Sequence, residues 1–308
     1  MATYKPLLAA ATHFTRRAAR RRISIISSCL IISLLFPITL YLLLGNILAN
    51  DPRLVPHAIR NAQNALFITA HPDDGALYFG PSILQSLGRK NMNRYMLVLS
   101  SGENPEKHNL ETKLSCTESY SIPSRNCLIL QNKDLLESSK NWDESVIQRI
   151  LERHISKWEI DLIITFDAAA FNDANHRAVS NAVQRYASLH IEHRNPAAYA
   201  VRTTSALRRY LSLMDLVTTS LPFGLRILEA MVWRVPEGYH TSFDGKGVVV
   251  ASPKDGDVYG DKALIVTDWS GHLRARAALA KHASAYSWDR ALCASLSRYM
   301  WFNDLRRM

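Results

Sequence analysis

A chain of 308 residues that is 47% hydrophobic and 21% charged is long enough for one sizeable α/β domain with appendages, and its composition excludes an intrinsically disordered protein. Its net charge of +10 is uneven, because Lys5, Arg16, Arg17, Arg20, Arg21 and Arg22 all precede the first acidic residue, Asp51. That cluster abuts an apolar run and no recognition motif accompanies it, so it reads as attraction to membrane lipid headgroups and not as nucleic-acid binding.

Residues 1–22 form a basic N-terminal tail, and residues 23–49 carry no charge and are rich in Ile and Leu. A bilayer crossing needs about 20 apolar residues, so one transmembrane helix is expected here, with Pro37 as a kink point. A cleavable signal peptide has an apolar region of only about 7–15 residues followed by a small-residue cleavage site, a pattern this segment lacks. The length of the uncharged run also sets aside a mitochondrial presequence. Cations before the helix outweigh Arg53 and Arg60 after it, which predicts a cytoplasmic N-terminus and a lumenal domain.

Residues 50–64 read as a polar linker and residues 65–308 as the main domain. Within that domain, apolar runs of strand length alternate with helical segments, the pattern of an α/β, Rossmann-like, mainly parallel sheet with helices on both faces. Expected strands are Ala65–Thr69, Tyr95–Ser100, Cys127–Leu130 and Leu162–Phe166. Ile147, Ile150, Leu151, His154 and Trp158 share one helical face, which makes His154 a core histidine. A second apolar stretch, Leu207–Trp233, holds Arg208, Arg209, Asp215, Pro222, Arg226 and Glu229. Those charges argue against a second span and for an interfacial or core-packed helical pair. Cys29, Cys116, Cys127 and Cys293 show no CxxC pair; a Cys116–Cys127 bond is one alternative, but the expected reading is two unpaired small hydrophobes.

Two clusters carry chemistry. The first strand delivers His71, Pro72, Asp73 and Asp74 to its carboxyl end, where open α/β sheets bind ligands. Imidazole and carboxylate suit a divalent metal, while an Asp capping a helix on a solvated turn is an equal alternative. The fourth expected strand runs into Asp167 and a loop ending Asn172-Asp173-Ala174-Asn175-His176, bringing a second histidine to the same sheet edge. His190 and His193 read as solvated surface.

These clusters resemble the PIG-L/LmbE-type N-acetylglucosaminyl de-N-acetylases, whose motifs read Ala-His-Pro-Asp-Asp-Glu and, after a Thr-Phe-Asp strand end, His-x-x-His. The resemblance runs from Ala65 to Phe302 and includes Leu99–Gly102, Leu211–Leu216 and Ser297-Arg298-Tyr299-Met300. It implies an LmbE-like fold behind the membrane helix and removal of the N-acetyl group from N-acetylglucosaminyl-phosphatidylinositol (GlcNAc-PI) in GPI-anchor biosynthesis. The implied metal ligands are His71, Asp74 and His176, for Zn2+ or another divalent metal, and the implied general base is Asp73. Asp167, Asp173 and Asn175 fall in the implied substrate or oxyanion region. The family branch also implies the endoplasmic reticulum membrane with a cytoplasmic domain, against the charge pattern; no protein partner is implied.

Three positions depart from the family pattern: Gly75 replaces Glu, Asp173 replaces the first histidine of His-x-x-His, and Ala168-Ala169-Ala170 replaces a glycine-bearing loop. With Asp173 in the oxyanion position, the donor is either a protonated Asp173 or a different residue such as His282. The alternative readings are a catalytically weakened membrane-bound paralogue with a binding or assembly role, and a deacetylase of another GlcNAc conjugate.

Overall fold

The computed structural model describes residues 5–85, 92–136, 142–189, 196–232, 240–243, 248–251, 259–285 and 287–308. The centre is a seven-stranded sheet of order β3-β2-β1-β4-β5-β9-β8. Its strands are β1 (Asn64–Thr69), β2 (Asn93–Val98), β3 (Cys127–Ile129), β4 (Leu162–Phe166), β5 (Ala197–Val201), β8 (Lys262–Val266) and β9 (Phe302–Arg307). A separate hairpin pairs β6 (His240–Phe243) with β7 (Val248–Ala251). From β3 to β5 every pairing is parallel, whereas β9 runs antiparallel to both β5 and β8. β1 and β4 sit in the middle, and their continuous apolar runs are buried along nearly their whole length, as a strand covered on both faces requires.

Eleven helices are described: α1 (Lys5–Leu42), α2 (His57–Arg60), α3 (Asp74–Tyr78), α4 (Gly80–Gln85), α5 (Pro105–Leu114), α6 (Glu144–Trp158), α7 (Ala174–Leu189), α8 (Ala206–Arg209), α9 (Met214–Val232), α10 (Trp269–Ala280) and α11 (Trp288–Leu296). α6 starts on the Asp143 side chain, which accepts from the Ser145 N–H, and buries Val146, Ile147, Leu151, His154 and Ile155. The His154 Nδ1 lies 2.7 Å from the Ile150 carbonyl, so this histidine is satisfied within its own helix.

The basic tail and the apolar run share α1, which passes through Pro37 and loosens into a wider-turn π segment at Leu43–Ile47. Ser24–Ile47 is long and apolar enough to cross a bilayer. Its last turns are seated on the domain: Tyr41 and Leu44 are buried, and Tyr41 meets Trp301 edge-on at 5.3 Å. A Cβ at Gly45 would lie 3.0 Å from the Thr267 carbonyl oxygen, so this close approach needs glycine.

The structure differs from the sequence reading in three places. Residues 50–64 are not a free linker, because Leu54, Val55 and Ile59 enter the core and Leu264 N–H donates to the Leu54 carbonyl. Cys116 and Cys127 form a disulfide, with Cα atoms 6.4 Å apart, because the Ser115–Ser119 turn folds back beside the start of β3. β5, β8 and β9 were not expected as strands; β9 escapes pattern reading because it buries Asn303 and Asp304. Asn303 is satisfied by Ser82, which donates from N–H and hydroxyl to its Oδ1, and by the Tyr78 carbonyl, which accepts from its Nδ2.

Candidate metal centre

The strand order reverses between β1 and β4, which are adjacent although β2 and β3 intervene in sequence. A crevice opens at the carboxyl ends of such a pair, and both chemistry-bearing loops lead into it. After β1 the chain turns through His71, Pro72 and Asp73 into α3. Asp74 closes that turn by accepting the His71 N–H on Oδ2 at 2.7 Å. After β4, His176 stands in the first turn of α7 and its ring stacks on Phe166 at 4.0 Å and 10°, which fixes the imidazole plane.

The structure brings His71, Asp74 and His176 together, with potential ligand atoms within 4.8 Å of one another. His176 Nε2 lies 3.0 and 3.1 Å from the two Asp74 oxygens and 3.3 Å from His71 Nδ1. His71 Nδ1 is 3.5 Å from Asp74 Oδ2. Ligand bonds of 2.0–2.2 Å in a tetrahedron give edges of about 3.3–3.6 Å, so these spacings and this His-Asp-His donor set fit a divalent cation such as zinc. Asp74 and His176 are 3% and 4% exposed. Burial alone would raise the Asp74 carboxyl, but the His176 and His71 imidazoles more than reverse that and hold it well below the usual carboxylate range.

Asp73 belongs to a different neighbourhood. An Arg290 guanidinium nitrogen from α11 lies 2.6 Å from its Oδ2 as an ion pair. The two line a cavity of about 110 Å³ together with His108, Glu111, His282 and Ser284. Burial pushes His282 below its ordinary pKa, against the pull of Asp73 and Glu111. Arg290 was not picked out from the sequence, because nothing local in α11 marks it as a partner of a turn more than two hundred positions earlier.

The implied oxyanion region is built for architecture. Asp173 Oδ1 accepts from the Asn175 N–H at 2.8 Å and the His176 N–H at 3.0 Å, which makes it the N-cap of α7. Its carboxylate is drawn to the positive end of that helix. Asp167 accepts from Thr203 N–H and hydroxyl and from Ala170 N–H, tying the loop to the end of β5. Between them Ala170, Phe171 and Asn172 adopt φ of 48°, 53° and 64°, the left-handed region that glycine enters most cheaply. Asn175 reaches the centre, with Nδ2 3.5 Å from His71 Nε2. At the first motif, Gly75 packs against Met96: a Cβ there would lie 3.0 Å from the Met96 methyl, so a larger residue requires Met96 to move. His190 and His193 lie outside the described residues.

Capping predicts that Asp173→Ala lowers stability by about 0.5–2 kcal/mol while Asp173→Asn stays within a few tenths, because Asn caps as well as Asp. Thermal unfolding of the two variants checks this. Equal destabilisation by both would refute the capping role.

Residues 66–187 match the family PIG-L, described as GlcNAc-PI de-N-acetylase. The chain is 28% identical over 247 residues to the N-acetylglucosaminyl-phosphatidylinositol de-N-acetylase of Bos taurus, covering 78% of this chain and 81% of the relative. It is 24% identical over 162 residues to a probable enzyme of the same name from Schizosaccharomyces pombe, covering 51% and 64% respectively. Among solved structures, the A40926 pseudoaglycone deacetylase Dbv21 aligns at 12% identity with a TM-score of 0.49, over 80% of this chain and 96% of that one. The first histidine turn lies inside the matched segment, and so does the start of α7 that completes the donor set. Residues 66–187 are thus similar to the PIG-L family, and that similarity holds all three donors of the candidate centre.

Proposed function

We propose that this chain is a membrane-anchored, metal-dependent hydrolase that removes the N-acetyl group from GlcNAc-PI, an early step of GPI-anchor biosynthesis. The observation that carries the reading is the convergence of His71, Asp74 and His176 beside Asp73 in a PIG-L domain. His71, Asp74 and His176 hold the cation, zinc in this reading, which when bound supplies Lewis acidity toward the amide carbonyl and acidifies water. Asp73 takes the proton of the attacking water on a carboxylate oxygen and returns it to the departing amine nitrogen. Arg290 orients that carboxylate through the ion pair. His282, in the same cavity as Asp73, serves as the hydrogen-bond donor toward the developing oxyanion in place of Asp173.

The Asp173 cap favours a second reading, a paralogue of weakened activity, because the family's donor position is given over to the helix end. In this proposal α1 is the single membrane anchor and the endoplasmic reticulum is the organelle, as the family resemblance implies. Two features favour the lumenal face for the domain. The basic cluster precedes the anchor, and Cys116–Cys127 is a bond that persists in oxidising compartments.

One experiment tests activity and face together. Turnover of GlcNAc-PI is measured in microsomes carrying the full chain, after protease treatment of intact or detergent-opened vesicles. The expected result is activity that survives protease in intact vesicles and is lost in opened ones. Loss in intact vesicles would place the domain in the cytoplasm, and absence of turnover without any protease would favour the weakened paralogue.

A further inference from the structure

A second cavity, of about 380 Å³, lies between α9 and the antiparallel edge of the sheet. Its lining shares no residue with the metal centre and is strongly basic: Arg202, Arg208, Lys262 and Arg306 face a single acid, Asp304. Two of the cations are already matched. Arg202 pairs with Asp304 at 3.3 Å, and Arg208 pairs with Asp215 at 2.6 Å, an acid it shares with the buried Arg298. Among the described residues, Lys262 and Arg306 have no acidic partner. They are also register partners on β8 and β9, so two like charges stand opposite each other on one face of the sheet. Directly opposed like charges destabilise an antiparallel pair, and an anion held between them converts that repulsion into attraction.

The rim of the cavity points to the source of that anion. On α9, Leu221, Leu225, Leu228 and Val232 follow a 4-3-4 spacing that makes one stripe, and they are 61%, 65%, 57% and 63% exposed. Thr218 and Pro222 lie next to this stripe on the helix and also line the cavity. α9 packs against α1, the helix that is long and apolar enough to span a bilayer, and the outer face of α1 is apolar as well. The stripe therefore continues the apolar surface of α1, with a basic cavity opening beside it.

We propose that α9 lies in the interfacial layer of the bilayer that α1 crosses, and that the cavity of Arg202, Arg208, Lys262 and Arg306 binds the phosphate of an anionic phospholipid headgroup. The proposal rests on the anchor part of the reading above and does not depend on deacetylase activity. Phosphate is the fitting group because it offers several strong acceptor oxygens to a guanidinium fork and an ammonium at once.

The test uses the full chain in neutral detergent micelles at fixed ionic strength, titrated with dioctanoyl-phosphatidylinositol, dioctanoyl-phosphatidylcholine or inorganic phosphate while Tm is read. Saturating phosphatidylinositol is expected to raise Tm by about 5 °C or more, and the other two to leave it near its starting value. The Lys262→Gln/Arg306→Gln double variant is expected to lose this response while its lipid-free Tm stays level or rises, because the opposed charges are gone. An equal rise with phosphatidylcholine, a full rise with inorganic phosphate, or an undiminished response in the variant would each overturn the headgroup site. A fluorophore on Leu225→Cys in phosphatidylcholine/phosphatidylinositol nanodiscs should be quenched by doxyl-labelled acyl chains; absence of quenching overturns the placement of α9. Alkaline carbonate extraction of the full chain separates the two readings, since release from membranes would defeat the anchor itself, whereas retention without a phosphatidylinositol response would defeat only the cavity.

Discussion

Asp73→Asn is expected to keep its bound metal and lose about 10²–10⁴ in kcat, the usual contribution of a positioned acid or base. The reason is geometric. Asp73 is absent from the His71, Asp74 and His176 cluster, and its carboxylate pairs with Arg290 in the lining of the 110 Å³ cavity. The amide substitution preserves size but removes both the proton-accepting charge and the attraction to Arg290. KM should change less than kcat, because the lost interaction acts on the proton in flight and not on the bound glycolipid. Arg290→Gln is the companion variant: it leaves the carboxylate in place and releases its orientation, so a smaller fall in kcat with a shifted pH profile is expected. The measurement is metal content by elemental analysis beside single-turnover rates on GlcNAc-PI. Loss of zinc in Asp73→Asn would exchange the roles of the two aspartates, with Asp73 as ligand and Asp74 as base.

His176→Ala and Asp74→Asn are expected to abolish both stoichiometric zinc and detectable turnover. Losing a partner that merely supports a ligand costs about 10–100-fold in metal affinity, and a ligand itself costs more. Three donors on two loops leave no spare ligand among the described residues within reach of the same point. The two variants differ in an informative way. Asp74→Asn keeps an oxygen able to accept the His71 N–H, so the turn should survive and zinc should still fall. His176→Ala removes the ring that stacks on Phe166, so a modest loss of stability should accompany the loss of metal. Elemental analysis and thermal unfolding on the same preparations read both effects. Full zinc occupancy in either variant would remove that residue from the donor set.

Much of this was written locally. β1 and β4 were legible because a strand buried on both faces must be largely apolar, and Leu66–Thr69 and Leu162–Phe166 are, with one threonine each. α6 was legible because its buried positions repeat at the helical period, and the same repeat explains why His154 is a core residue. The two polar clusters were legible because each follows directly on such a strand, and α/β connectivity carries both to one edge of the sheet. Ser24–Ile47 was legible from length and lack of charge alone.

Other features depend on which distant segments meet. β9 reads as polar because its strand character rests on Ser82 and Tyr78, which satisfy the buried Asn303. The Cys116–Cys127 bond depends on a turn folding back beside β3, and the residues between the two cysteines carry no sign of it. Asp173 could be named as a departure from a motif, but only the start of α7 shows that its carboxylate serves two backbone N–H groups. Arg290 against Asp73, and Lys262 against Arg306, are pairings made by tertiary packing. Periodicity records whether a residue is buried or exposed; it does not record which charge another part of the chain will bring beside it. The strand ends and the donor types of the candidate centre were therefore determined by sequence alone. The convergence of those donors, the partner of Asp73, the disulfide and the basic cavity under α9 were decided only by the fold.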